Sequence, residues 1–146
     1  MRVPATLGDI DAAAVRLRRA AASFLHGDIL DCFEIATVEA LTNIVRHAYQ
    51  DAPKRLIDVK LVTIQGGLAL QLRDTGRPAN AGFLPFPDGA AQDNTGLDRT
   101  LESGRGLALI RRCANEVEYR PGPGGNQLRL VFRHPLYQKE GSSPCI

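Results

Sequence analysis

Apolar residues recur at helical spacing through the first fifty positions and at alternating spacing from residue 55 onward, so helices are predicted to precede strands. The first predicted helix runs from Asp11 to about His26, with Asp9 or Asp11 as its cap and Gly27 at its end. Val15, Leu17, Ala21, Phe24 and Leu25 supply its apolar face, and Arg16, Arg18 and Arg19 crowd the other side. Those arginines read either as a solvated face or as a partner-binding surface. A second helix spans about Ile29 to Tyr49, capped by Asp28 and stopped by Pro53. Leu30, Phe33, Thr37, Leu41, Ile44 and Ala48 form its core stripe, while Glu39, Asn43 and His47, at i, i+4 and i+8, share a different one.

Arg55 to Ile64 alternates like a strand, with Ile57, Val59 and Leu61 on one face. After the turn Gln65-Gly66-Gly67, Leu68, Leu70 and Leu72 repeat the alternation, which predicts a β-hairpin. Residues 75 to 103 are rich in Gly, Pro, Asp and Asn and carry no sustained period, the mark of a functional lid or a disordered segment. A short helix from Gly106 to about Asn115, a strand over Glu116–Arg120, a tight turn and a last strand over Asn126–Arg133 follow, before a polar, frayed tail. Segregated strands joined by short turns predict an α+β fold. Its simplest form is a two-layer α/β sandwich with a mixed, mostly antiparallel sheet and helices on one face. The whole chain, 1–146, reads as one domain with a core over about 10–133, a lid over about 77–103 and a tail over 134–146.

Composition adds exclusions. With 44% hydrophobic and 23% charged residues the chain can build a core without staples, and a net charge of +2 leaves no polyanion footprint, so no direct nucleic-acid or membrane binding is expected. Cys32, Cys113 and Cys145 are isolated, which argues against a zinc or C-x-x-C site. Cys32 and Cys113 lie in helical patterns and read as small buried hydrophobes. No apolar run approaches the length of a membrane span, and a cytoplasmic location is expected.

Three segments carry candidate chemistry. Glu39 and Asn43, one turn apart, would set a general base beside an oxygen ligand suited to a hard cation; two solvated polar residues is the plainer reading. Asp74 shares parity with Leu68, Leu70 and Leu72, so it points to the covered face and needs a donor. The exocyclic amine of adenine is one such donor, and a local turn cap is the alternative. In Glu102-Ser103-Gly104-Arg105-Gly106-Leu107, two glycines before a helix let backbone N–H groups approach phosphate oxygens. Neither a P-loop nor a complete dinucleotide fingerprint is present. Asn126 shares parity with Leu128, Leu130 and Phe132, which directs it to the same layer as Asp74.

Taken in order, Glu39-x-x-x-Asn43-x-x-x-His47-Ala48-Tyr49, Arg73-Asp74-x-Gly76 and Ser103-Gly104-Arg105-Gly106-Leu107 resemble the Bergerat-fold (GHKL) ATPases. Within them the chain is similar to the bacterial anti-sigma-factor serine kinases, over about residues 10 to 133. The resemblance implies that Asn43 holds Mg2+ and that Asp74 accepts from the adenine amine, while Gly76 lets the backbone pass close to the base. It implies that Gly104, Arg105 and Gly106, with Leu107 after them, cradle the phosphates of ATP and that Glu39 is the catalytic base. His47 matches a recurrent family histidine. Relatives often carry threonine where Asn126 follows Gly124-Gly125, an amide that can still bond Asp74 or a bridging water. A length of 146 residues suits the stand-alone kinase type. That type implies phosphorylation of a serine or threonine on a STAS-domain anti-anti-sigma protein, with a sigma factor or other regulator as a second partner and a homodimer as the assembly. A non-catalytic nucleotide-gated clamp and a simple ATPase are the alternatives.

Overall fold

Two alternating runs separated by a tight turn have each other as nearest partners, and they pair over seven residues each. The computed structural model describes residues 1–52, 54–79 and 103–137. In it β2 (Leu56–Ile64) and β3 (Gly67–Asp74) form the expected hairpin, in register from Ile64 opposite Gly67 to Asp58 opposite Arg73. β5 (Asn126–Arg133) joins the far side of β3, β4 (Glu116–Arg120) lies outside β5, and β1 (Arg2–Pro4) edges β2. The sheet order is β1-β2-β3-β5-β4, and every pairing among the described residues is antiparallel. Three helices, α1 (Leu7–Ala21), α2 (Gly27–Asn43) and α3 (Ser103–Cys113), complete the α+β sandwich expected from the pattern.

The inward parity of each strand meets the helices. Ile57, Val59, Leu68, Leu70, Leu72, Leu128, Leu130 and Phe132 pack in one cluster with Ile10 and Leu17 of α1, Phe33, Ala36, Ala40 and Leu41 of α2, and Ile110 of α3. Phe33 and Phe132 meet edge to face, centroids 5.2 Å apart, and join the central helix to the central sheet. Asp58, Lys60 and Arg73, of opposite parity, are exposed. No helix among the described residues is long and apolar enough to cross a membrane.

Several predicted boundaries move. α1 begins at Leu7 because Thr6 caps it: its Oγ1 accepts the Asp9 N–H at 3.2 Å and donates to the Asp9 carboxylate at 2.5 Å. Asp9 is therefore the N3 residue, bonded to the cap hydroxyl, rather than the cap itself, and the Thr6 N–H goes to the Pro4 carbonyl. Of the predicted apolar face, Leu17, Ala21 and Leu25 are buried and Val15 and Phe24 are exposed, and the buried face of α1 is Ile10, Ala13, Ala14, Leu17 and Ala21. Gly27 opens α2 instead of closing the first helix, and Asp28 sits in the first turn behind a His26 cap that makes no side-chain bond. Arg18 bonds Asp31 at 2.7 Å, Glu34 at 2.6 Å and the Leu30 carbonyl at 3.3 Å, tying α1 to α2. Arg16 and Arg19 are exposed, as a solvated face requires.

α3 starts at Ser103, so Gly104, Arg105 and Gly106 fall in its first turn rather than before it. β1 carried no readable period in three residues that include a proline; Val3 fills the core and the strand pairs Arg2 with Asp58. The polar tail includes a 3-10 turn, Pro135–Tyr137. The predicted lid beyond residue 79, Pro53, Cys145 and the rest of the tail lie outside the described residues.

If the Phe33–Phe132 contact is the joint between layers, Phe33→Ala should lower unfolding free energy by about 3–5 kcal/mol in urea titration. Ile35→Ala, at a position 43% exposed, should stay within about 0.5 kcal/mol of the parent.

Candidate functional site

The site is laid out along α2 and its continuation. After Asn43 the helix widens into a π-helical turn, Ile44–Ala48, in which the Tyr49 N–H reaches back to the Ile44 carbonyl at 2.9 Å. Such turns are uncommon and frequently mark functional segments. Glu39 and Asn43 precede the widening, share one stripe and are half-buried. His47 lies within it and is exposed, because a π-turn takes more than four residues and rotates the next position away from the stripe. The structure therefore separates His47 from the pair with which its spacing grouped it.

Gly106 of α3 comes down on that pair. A methyl group at its Cα would stand 2.5 Å from Glu39 Oε2 and 3.6 Å from both Asn43 amide atoms. Only a glycine lets α3 approach this closely with the carboxylate left in place. Gly104 and Arg105 lie in the same first turn, where helical N–H groups have no intrahelical acceptor. Leu107 follows, half-buried.

At the other end of the π-turn, Gly76 presses on Ala48, with no room for a side chain against that backbone, and the Arg77 N–H donates to the Ala48 carbonyl at 2.8 Å. Asp74 lies two residues before Gly76 and is 5% exposed. Its Oδ1 accepts from the Gly76 N–H at 2.8 Å and from Asn126 Nδ2 at 2.9 Å. Asp74 and Asn126 are direct cross-strand partners, so the shared facing read from parity is found as a hydrogen bond. Asn126 Nδ2 also reaches the Gly76 and Arg77 carbonyls at 3.1 and 3.3 Å. Burial raises the Asp74 carboxyl above its ordinary value, and the bonds from Asn126 and Gly76 pull part of the way back. Both described donors converge on Oδ1, and Oδ2 receives none from the described residues.

Two tyrosines hold this corner, and sequence reasoning gave neither a role. Tyr49 donates to the Leu56 carbonyl at 2.7 Å and accepts the Thr75 N–H at 3.0 Å, so one hydroxyl fixes the ends of β2, β3 and the helix together. Tyr119 accepts the Ala79 N–H at 2.7 Å. Its hydroxyl is pushed up by burial; the Ala79 N–H counters this, and the Asp74 charge adds to the rise. Tyr119 was legible, since it shares the parity of Val117 and stands opposite Leu128. Tyr49 followed the end of a helix, where no period announces it.

A cavity of about 620 Å³ opens on the outer face of the sheet, lined by residues that include Arg2, Lys60, Arg73 and Arg129. Asp74 and Asn126 have the opposite, inward parity, so this cavity is not the candidate site. Among the described residues no cluster of three His, Cys, Asp or Glu side chains could hold a metal ion. Asn43 supplies one hard amide oxygen, which suits a cation that draws most of its shell from phosphate and water.

Comparison with known proteins bears on the family. Residues 3–132 match the model of the histidine kinase-like ATPase domain. The chain is 31% identical over 127 residues to the serine-protein kinase RsbW of Bacillus mycoides, covering 81% of this chain and 74% of that protein. Among solved structures it is similar to the histidine kinase domain of the blue-light activated histidine kinase from Erythrobacter litoralis EL346. That match has 20% identity and a TM-score of 0.49, covering 89% of this chain and 61% of that one. A second structure of the same kinase gives 19% identity and a TM-score of 0.46, with 85% of this chain and 41% of that one covered. The run of motifs from Glu39 to Leu107 and the match across residues 3–132 thus agree: the chain belongs to the histidine kinase-like ATPase (GHKL) family and resembles its serine-protein kinases.

Proposed function

We propose that this chain is a cytoplasmic, Mg-ATP-dependent serine/threonine-protein kinase of a partner-switching system. It would phosphorylate a STAS-domain anti-anti-sigma protein and sequester a sigma factor or other regulator, acting as a homodimer. The observation that carries this reading is the convergence on one helical edge. Gly106 approaches Glu39 and Asn43 at one end, and Gly76 with Asp74 meets Ala48 at the other. Between Glu39 and Ala48 the helix rises on the order of 12 Å, a span that suits an extended nucleoside triphosphate.

In this mechanism Asp74 Oδ2 accepts from the adenine amine, and Asn126 keeps the carboxylate turned toward it. The N–H groups of the first turn of α3, around Gly104, Arg105 and Gly106, face the phosphate oxygens, where the helix dipole favours negative charge. Asn43 offers its amide oxygen to magnesium, which when bound neutralises charge on the transferring phosphoryl group. Glu39 would take the proton of the incoming serine or threonine hydroxyl as its oxygen bonds the γ-phosphorus and the bond from that phosphorus to the bridging oxygen breaks, releasing ADP. The relative's description as a serine-protein kinase, together with a carboxylate at position 39, favours transfer over a catalytically dead clamp.

Incubation with γ-labelled ATP, magnesium and a STAS-domain protein should move label onto a serine or threonine of that protein. Glu39→Gln should cut transfer by about 10²–10⁴-fold while ATP affinity stays within severalfold. Partner binding that follows ATP or ADP without any transfer would leave a clamp, and free phosphate without a protein acceptor a simple ATPase. Gly106→Ala supplies a second check. Alanine favours a helix by about 1 kcal/mol over glycine, so the fold should hold or gain stability in thermal unfolding. The added methyl displaces Glu39 Oε2, and transfer should fall at least about tenfold.

A further inference from the structure

The start of α3 lies at the Glu39–Asn43 end of α2 and the helix packs along α2 rather than along Ile44–Ala48, so the two run in opposite directions, with the Gly106–Glu39 contact setting their register. Seven residues back from Glu39 is Cys32, and seven residues on from Gly106 is Cys113. Seven residues are close to two full helical turns, so both cysteines stand on the faces that already touch. The Cys113 thiol feels Cys32 across the interface, which pushes it up, as the facing requires. Both are free and partly accessible, and Cys113 rests against the core cluster. Nothing in the phosphoryl-transfer reading uses them.

We propose that Cys32 and Cys113 form a redox modification site, at which a hydroperoxide converts the facing thiols into an intramolecular disulfide that ties α3 to α2. The Cys32 thiolate attacks the distal peroxide oxygen, the O–O bond breaks, and Cys32 becomes a sulfenic acid as water or an alcohol leaves. The Cys113 sulfur then attacks the Cys32 sulfur, the S–O bond breaks, and a second water carries off the hydroxyl and the proton of Cys113. Two electrons pass from the sulfurs to the peroxide in total.

The order follows from the surroundings. Burial first, then the bond and charge from Cys32, push the Cys113 thiol up to about 12. Cys113, which is the one of the two packed against the core cluster, is therefore placed as the resolving thiol and Cys32 as the one that meets the oxidant. Once Cys32 is oxidised, its charge no longer opposes ionisation of Cys113, and the resolving attack can proceed. The resulting staple lies two turns from the Gly106–Glu39 contact and fixes the spacing of the two helices there.

The test is hydrogen peroxide treatment of the reduced full chain carrying Cys145→Ser, which removes the third thiol. The expected result is a single covalent chain lighter by about 2 Da, with the lost hydrogens mapped by peptide mass spectrometry to a Cys32–Cys113 link. Closing so long a loop should raise the thermal midpoint by about 5 °C or more, reversibly with dithiothreitol. Cys113→Ser under the same treatment should stop at oxidised Cys32 and show no rise. Wild-type thiols that survive, sulfinic acid on Cys32 without a link, or links only between molecules would overturn the proposal. Link formation does not depend on nucleotide binding, so a failed ATP titration and an absent link are separate results.

Discussion

A carboxylate buried to 5% exposure is costly unless donors meet it, and the way Asp74 meets that demand organises one end of the molecule. Its Oδ1 needs the Asn126 amide, so β5 must start directly opposite the end of β3. It also needs the Gly76 N–H, which bends the chain sharply after the strand and brings Gly76 onto Ala48. The same bend places the Thr75 N–H on Tyr49, whose hydroxyl reaches the start of β2. A single charged group thereby fixes how three strands and the central helix meet, and it leaves one carboxylate oxygen without a described donor.

The other end depends on the absence of a side chain. Gly106 allows α3 to close on Glu39 and Asn43 within a distance that no Cβ tolerates beside an unmoved carboxylate. Between these two constraints runs one helix whose geometry changes partway, α-helical to Asn43 and π-helical to Ala48. The change turns Ala48 to receive Gly76 and moves His47 out to solvent. Packing supports both ends from beneath through Phe33, Ala36, Ala40 and Leu41, all fully buried on α2.

How much of this the sequence disclosed depends on the range of each signal. Strand parity has a period of two and no drift, so Asp74 and Asn126 were assigned to one layer correctly from distant segments. Helical spacing held for Glu39 and Asn43, one turn apart, and failed for His47, because a π-turn leaves no mark in an apolar pattern. β1 was missed since three residues cannot show a period, and its place is set by pairing with β2. The start of α1 is carried by Thr6, an N-cap that was legible but passed over in favour of the aspartates. The facing of Cys32 and Cys113 could not be read from the chain, because it depends on the register between two helices far apart in sequence. The family resemblance supplied roles where spacing supplied only positions.

The central claim is that the Asp74 corner and the Gly106 approach belong to a single adenine-nucleotide site. Isothermal titration calorimetry with ATP and ADP in the presence of magnesium addresses it most directly. Saturable binding of one nucleotide per chain, lost when Asp74→Asn turns an amide N–H donor toward the adenine amine, is the result predicted. No heat of binding with either nucleotide, or unaltered affinity in the Asp74→Asn protein, would contradict it.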